Sequence, residues 1–212
     1  MGRDTQTTPL VSSGSHDQRS ELILASRSPR RRELLAQIGL KFKVVAVDID
    51  EQRKTHEPAE VYVRRLARLK AQAGYVRTGK SVPVLGADTI VVLDKMILGK
   101  PANRDEALSM LENLSGRTHQ VLTAVAVLAQ GYEATRLSVS QVRFRSISLA
   151  ERSAYWACGE PVDKAGGYAI QGKAAIFVET LEGSYSGVMG LPLFESAELL
   201  SQIGIDLLGG SE

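Results

Sequence analysis

Apolar and polar positions along this chain follow two rhythms, one of strands and one of helices. Residues 21–25 form a short apolar run that suits a buried strand. The run breaks at Ser26-Arg27-Ser28. Ser28 then stands as an N-cap, and Pro29 takes the first helical position, where no amide hydrogen is needed. Leu34, Leu35 and Ile38 give this helix an apolar face, and Gly39 stops it. Residues 42–47 read as a second strand leading to the acidic turn Asp48-Ile49-Asp50-Glu51. Pro58 opens a longer helix whose expected apolar face is Tyr62, Leu66, Leu69, Ala73 and Val76. Arg64, Arg65, Arg68 and Lys70 surround that face.

Residues 82–93 are the most β-branched segment, interrupted by Gly86-Ala87-Asp88-Thr89. A turn at Asp94-Lys95 and the loop Gly99-Lys100-Pro101 follow. Asn103 and Glu106 form an N-cap pair, and the helix they open buries Ala107, Leu108, Leu111 and Leu114 before Gly116. Residues 119–129 and 137–147 read as strands. Ser148 and Glu151 form a capping box for a helix ending near Gly159. Residues 175–181 and 184–189 read as two strands joined at Glu182-Gly183. A last helix carries Phe194, Ala197, Leu199 and Leu200. Strands and helices alternate throughout, so the expected class is α/β, with a mixed central sheet flanked by helices.

Composition narrows the picture. A chain of 212 residues favours a single domain or two tightly joined lobes. Hydrophobic residues at 43% and charged residues at 24% are those of an ordinary globular protein. A net charge of +2 implies no global attraction to nucleic acid, so any anion site must be a local cluster. No run approaches the roughly 18 apolar residues of a membrane span. Residues 1–20 are polar and lack the apolar stretch of a signal peptide. They read as a flexible tail, which leaves residues 21–208 as the folded domain. Cys158 is the one cysteine, so no intrachain disulfide forms and a reducing cytoplasm is the expected setting. His16, His56 and His119 show no zinc-ligand spacing with it.

Residues 74–81 match the phosphate-loop pattern G-x-x-x-x-G-K-[ST] letter for letter. A working loop of that kind follows a strand and opens a helix, so that the helix N-terminus faces the phosphates. Here Gly74 ends a helix and Ser81 leads into a strand. The stretch is therefore read as a polar connection carrying Gly79 and Lys80 on the surface.

Three other features carry candidate chemistry. Ser26, Ser28, Arg30 and Arg31 surround the start of the first helix, where free amides and a partial positive charge attract anions. A solvated basic helix start would look the same. Asp88 interrupts an apolar strand, an expensive place for a carboxylate without cations or donors beside it. Gly86 and Ala87 are expected to leave room there for a ligand. An Asp ending the strand in a turn is the plainer reading. Glu51 adds a second carboxylate, and Lys70 and Lys100 add point charges suited to phosphate oxygens. Residues 160–172 hold three glycines, a Lys-Asp pair and the amide of Gln171, either a fixed loop beside a ligand or a surface loop with turn glycines.

Taken in order, these motifs resemble the Maf family of nucleotide pyrophosphatases. The likeness runs from Leu22 to about Gly204. It rests on Leu24-Ala25-Ser26-Arg27-Ser28-Pro29-Arg30-Arg31, Gly86-Ala87-Asp88-Thr89, Gly99-Lys100-Pro101, Leu114-Ser115-Gly116 and the loop from Asp163 to Gly172. The resemblance implies an elongated α/β fold with a central cleft between two lobes. It also implies cleavage between the α and β phosphates, a divalent metal such as Mg2+ or Mn2+, and a homodimer. Asp88 matches the family's proton acceptor, and Glu51, Lys70 and Lys100 match its other cleft residues. On this reading Ser26, Arg31, Lys70 and Lys100 bind phosphate, and Glu51 and Asp88 hold the metal.

The base-reading positions divide the family. Arg30, Thr89 and Gln171 match the branch acting on dTTP and UTP, whereas the branch acting on 7-methyl-GTP carries a Glu in the last place. There is a chemical reason. Thymine and uracil present an acceptor, O4, beside a donor, N3–H, and an amide can answer both. Guanine presents adjacent donors, which suit a carboxylate. The expected partner is thus a nucleoside triphosphate, canonical or modified, with no stable nucleic acid and no membrane. The alternative of a non-enzymatic nucleotide-binding regulator of cell division is disfavoured by Asp88, since binding a polyanion needs no carboxylate. A single-stranded nucleic-acid binder is disfavoured by the absence of aromatics among Arg27 to Arg32.

Overall fold

The computed structural model describes residues 22–208, so the expected tail over 1–20 lies outside the described residues. Strand β1, Leu22–Leu24, is wholly buried, as its apolar run requires. Helix α1, Pro29–Gln37, leads to its parallel partner β2, Phe42–Val44. Pro29 sits in the first turn as expected, but Ser28 makes no side-chain cap. Instead the Ser28 amide donates to Ser26 Oγ at 3.1 Å, which turns the chain before the helix. Strand β2 stops short of Val47, after which the chain leaves the sheet.

Helix α2, Ala59–Arg77, crosses to strand β3, Val84–Leu93. Its buried residues are Val63, Leu66, Ala67, Ala71 and Gly74, and Val76 is exposed, so the expected face is rotated. The cause is close backbone packing. A Cβ on Gly86 would lie 2.5 Å from the Ala71 nitrogen and 2.6 Å from the Ala67 carbonyl oxygen. Gly86 thus makes room for α2, not for a ligand. Periodicity weights large side chains, and this contact uses small ones.

Strand β3 runs unbroken through Gly86-Ala87-Asp88-Thr89, so the side chains of Asp88 and Thr89 depart from the apolar pattern while the strand itself continues. Asp94 and Lys95, with φ of 50° and 69°, make a two-residue hairpin to β4, Met96–Leu98, a strand too short to read from sequence. Helix α3, Arg104–Leu114, starts with the Asn103 side chain accepting from the Glu106 amide, as expected. Strands β5, Thr118–Ala129, and β6, Tyr132–Phe144, form a long antiparallel pair. Helix α4, Leu149–Ala157, has the expected capping box of Ser148 and Glu151.

The segment expected as a strand over 175–181 divides into a 3-10 turn, Lys173–Phe177, and strand β7, Val178–Glu182. The expected strand over 184–189 is instead helix α5, Tyr185–Met189. The Ser184 side chain accepts from the Gly187 amide and so starts a helix where a strand pattern was read. Helix α6, Leu193–Ser201, ends the fold.

The sheet order is β2-β1-β3-β5-β6-β7, with β4 also paired to β3. The β2-β1-β3 part is parallel and the rest antiparallel. One face packs on α2 through Ile90, Val92, Leu122, Ala124 and Ala126. The other face carries two cores. One joins β1, α1 and α6 around Leu35, Leu85, Ala87 and Leu199. The second joins α3, α4 and the 165–177 segment around Val91, Phe144 and Phe177. Thr89 lies on β3 between the two. No helix among the described residues is long and apolar enough to cross a membrane.

Candidate active site

One edge of β3 is paired only at its ends. The Ala25 amide donates to the Leu85 carbonyl at 2.8 Å, which ties that end to β1. Val91 to Leu93 pair with β4. Over residues 86–90 neither strand covers this edge, while β5 continues along the other. Alternation along the strand turns the backbone groups of Ala87 and Thr89 to the open edge, the same side as those of Leu85 and Val91. A cavity of about 810 Å³ opens there. Ser26, Arg30, Arg31, Glu51, Lys70, Asp88, Thr89, Lys100 and Gln171 all line it, so residues far apart in sequence share one cleft.

Asp88 is buried on the α2 face of β3. Lys70 Nζ donates to Asp88 Oδ1 at 2.6 Å and pairs with Glu51 Oε1 at 2.7 Å. Burial pushes the Asp88 carboxyl above the ordinary carboxylate range, against the pull of Lys70 and Arg31. Partial burial also raises Glu51, but the hydrogen bond and charge of Lys70 outweigh it and leave this carboxyl below its ordinary value. Two neighbouring acids are thus driven apart in proton affinity, an arrangement typical of acid–base sites.

Glu51 lies in a loop held by a clamp. Tyr62 Oη donates to the Glu51 carbonyl at 2.9 Å, and Arg65 Nη2 donates to the Gln52 carbonyl at 3.0 Å. Arg65 also donates to both oxygens of buried Glu57, each at 2.7 Å. That hydrogen bonding holds Glu57 down to about 2. Sequence reasoning missed this clamp, because Glu57 and Arg65 are not at the helical spacing that flags an ion pair.

The arginines of α1 do more than face the cleft. Arg31 Nε donates to the Gly190 carbonyl at 2.7 Å, and its two terminal nitrogens reach Ser26 Oγ and Thr89 Oγ1, each at 3.3 Å. Burial lowers the Arg31 pKa, with Asp88 opposing the shift. Arg30 Nε donates to the Met189 carbonyl at 3.1 Å. Both arginines therefore brace the turn between α5 and α6. Thr89 points to the opposite sheet face from Asp88 and lies 3.0 Å from Thr123 Oγ1, which donates to the Gly187 carbonyl at 2.7 Å. Lys100 and Gln171 are exposed at the rim.

Tyr168, unremarked in the sequence, lines the cavity and meets buried His119, with Nε2 2.7 Å from the phenol oxygen. The phosphate-loop lookalike lies elsewhere. Gly74 is buried in α2, and Lys80 borders a separate shallow groove with Tyr75 and Tyr132. Among the described residues no three His, Cys, Asp or Glu side chains gather as a metal cage. The carboxylates of Glu51 and Asp88 flank Lys70 at the cleft, and Asp48 and Asp163 also line it.

Relatives place this arrangement in a known group. A dTTP/UTP pyrophosphatase of Alkalilimnicola ehrlichii is 57% identical over 193 residues, covering 89% of this chain and 95% of the relative. Proteins of the same description from Saccharophagus degradans and Methylococcus capsulatus are each 54% identical. They cover 87% of this chain and 89% and 92% of their own lengths, respectively. The family model described as Maf-like protein matches residues 21–203. With the cleft residues of the Maf motifs gathered at the open edge of β3, the chain belongs to the Maf family.

Proposed function

We propose that this chain hydrolyses dTTP and UTP to the nucleoside monophosphate and pyrophosphate. The observation that carries the reading is Lys70 between Asp88 and Glu51, inside a cleft whose walls also hold Arg30, Arg31 and Lys100. The description of the relatives as dTTP/UTP pyrophosphatases supports the substrate class.

On this reading the α1 N-terminus and Ser26 take phosphate oxygens, helped by Arg31, Lys70 and Lys100. Asp88, raised by burial, accepts a proton from the attacking water, and Lys70 orients its carboxylate. Arg30, Thr89 and Gln171 select the base, with the Gln171 amide donating to O4 and accepting from N3–H. The donor set fits a divalent ion of the Mg2+ or Mn2+ kind, which takes one or two protein carboxylates and fills its shell with water and phosphate. Glu51 and Asp88 would hold that ion, which when bound would offset charge developing on the leaving pyrophosphate.

The test is a panel of nucleoside triphosphates assayed with and without Mg2+ or Mn2+, with products identified. Pyrophosphate and monophosphate from dTTP and UTP are the expected result. Orthophosphate and diphosphate as first products, or no turnover of any triphosphate, would overturn it.

A further inference from the structure

The loop that carries Glu51 has little apolar surface to hold it. Among the described residues from 45 to 58, only Glu57 is buried, and Glu51 itself is half exposed. The loop depends instead on polar contacts from α2. Tyr62 Oη donates to the carbonyl of Glu51, and Arg65 Nη2 donates to the carbonyl of the next residue, Gln52. Arg65 is aimed by Glu57, whose carboxylate accepts from its Nε and Nη2 and from the Lys54 amide at 3.1 Å. Arg53 closes the turn by donating from Nε and Nη2 to the Glu57 carbonyl, at 2.9 and 2.6 Å. The Arg65 guanidinium lies 5.5 Å from the centre of the Tyr62 ring, so the two donors of the clamp brace each other.

The same helix holds the side chain of Glu51. Tyr62, Leu66 and Lys70 recur at every fourth position, and all three line the cleft. Lys70 meets the Glu51 carboxylate on one side and Asp88 on the other. Residue 51 is therefore held at two points, its carbonyl by the clamp and its carboxylate by Lys70. A carboxylate turned over presents the same acceptors, so its position alone fixes what it offers. An ion pair open to water is a weak tether for an exposed loop. The backbone anchor thus decides whether Glu51 stays at Lys70.

We propose that Arg65 is a positioning residue for turnover: seated on Glu57, it holds the backbone at 51–52 so that the Glu51 carboxylate stays at Lys70, and Lys70 stays shared between Glu51 and Asp88. This rests on the reading above that Glu51, Lys70 and Asp88 form the reacting centre. Arg65 does not itself line the cleft, so its effect is exerted through Glu51.

The experiment is a double-mutant cycle on dTTP hydrolysis at saturating Mg2+. It compares kcat and KM in wild type, Arg65→Gln, Glu51→Gln and the double variant, with thermal melts of each and more enzyme for the slow ones. Arg65→Gln should lower kcat about tenfold and hold KM for dTTP within about threefold. Once residue 51 has lost its charge, its placement no longer matters. The double variant should therefore come within about twofold of Glu51→Gln alone, whereas general damage to the fold would multiply the two losses. If Arg65→Gln fails to fold with Glu57 left unpaired, Arg65→Lys takes its place in the cycle. Lysine keeps a charge on Glu57 but lacks the fork that also reaches Gln52. Folded variants whose losses multiply, an Arg65 variant with the wild-type kcat, or a Glu51→Gln variant with the wild-type kcat each overturn the inference while the proposed function stands. Wild-type protein that leaves dTTP and UTP intact overturns the proposed function, and this inference with it.

Discussion

The Ala71 backbone rests directly on Gly86, so that a methyl group on Gly86 would come 2.5 Å from the Ala71 nitrogen. Lys70, the neighbour of Ala71, meets Asp88, on the same face of β3 as Gly86, at 2.6 Å. The separation of helix and strand is therefore set by one missing side chain, and the ion pair of the cleft depends on that separation.

Gly86→Ala should push α2 away from β3. Overpacking of this kind costs about 1–3 kcal/mol. For a chain of this size that is a fall of about 2–12 °C in Tm. Turnover of dTTP should fall at least about tenfold as Lys70 is carried off Asp88. Melts and steady-state rates measure both, and a variant matching wild type in the two would show that the helix tolerates the extra carbon.

Asp88→Asn should abolish most turnover and leave substrate binding nearly intact. Asparagine keeps the shape but cannot accept the proton. A general base is worth about 10²–10⁴-fold, so retention of more than about a tenth of the wild-type rate would exclude that role. Calorimetric titration with dTTP checks the binding.

Gln171→Glu should lower kcat/KM for dTTP and UTP about ten- to a hundredfold, with little change in Tm. An acceptor on the base left facing a carboxylate loses about 1–3 kcal/mol. Gln171 is exposed at the rim, so folding should shift by no more than about 0.5 kcal/mol. Equal activity in the two proteins would show that this side chain does not read the base.

His119 gives stability a dependence on pH. Burial lowers its pKa from the ordinary 6.5 to about 4, so the unfolded chain binds the proton more readily than the folded one. Its contribution is complete above 6.5 and declines as pH falls through 6.5 toward 4. Between pH 7 and 5 the loss should be about 2 kcal/mol. His119→Gln can still meet Tyr168 and has no such titration. Urea unfolding at both pH values should show the variant losing less than wild type. An identical loss would mean that the imidazole titrates normally.

Lys80→Ala should leave nucleotide turnover unchanged, because Lys80 lies in the shallow groove beside Tyr132 rather than in the cleft. Loss of dTTP hydrolysis in this variant would restore the phosphate-loop reading of residues 74–81.

Features written in local chemistry were legible in the sequence. The caps of Asn103 and Ser148 depend on atoms a few residues apart, and they appear where expected. Asp88 was legible because a carboxylate within an apolar strand is out of place. Features made by tertiary contact were not. The buried face of α2 is chosen by Ala67, Ala71 and Gly74 against Gly86, which a search for large apolar residues passes over. Helix α5 is a local exception: its Ser184 cap reaches only to Gly187, but five residues are too few to show a helical period, so its apolar content reads as a strand. Glu57 with Arg65 and Tyr155 with Glu160 hold the loops of the cleft by partners that no spacing rule joins. Arg31 carried a signal for anions but none for its bond to the Gly190 carbonyl.

The bare stretch of β3 between Leu85 and Val91 also bears on self-association. An unpaired strand edge ordinarily recruits a second strand, the first step toward swapped dimers or fibrils. Native edges are commonly blunted by charged side chains that a second strand would have to bury. Here Arg31, Glu51, Lys70 and Lys100 line the cavity over the bare stretch, so a recruited strand would have to strip them of water. The charged lining of the cleft thus also guards an otherwise open edge against self-association.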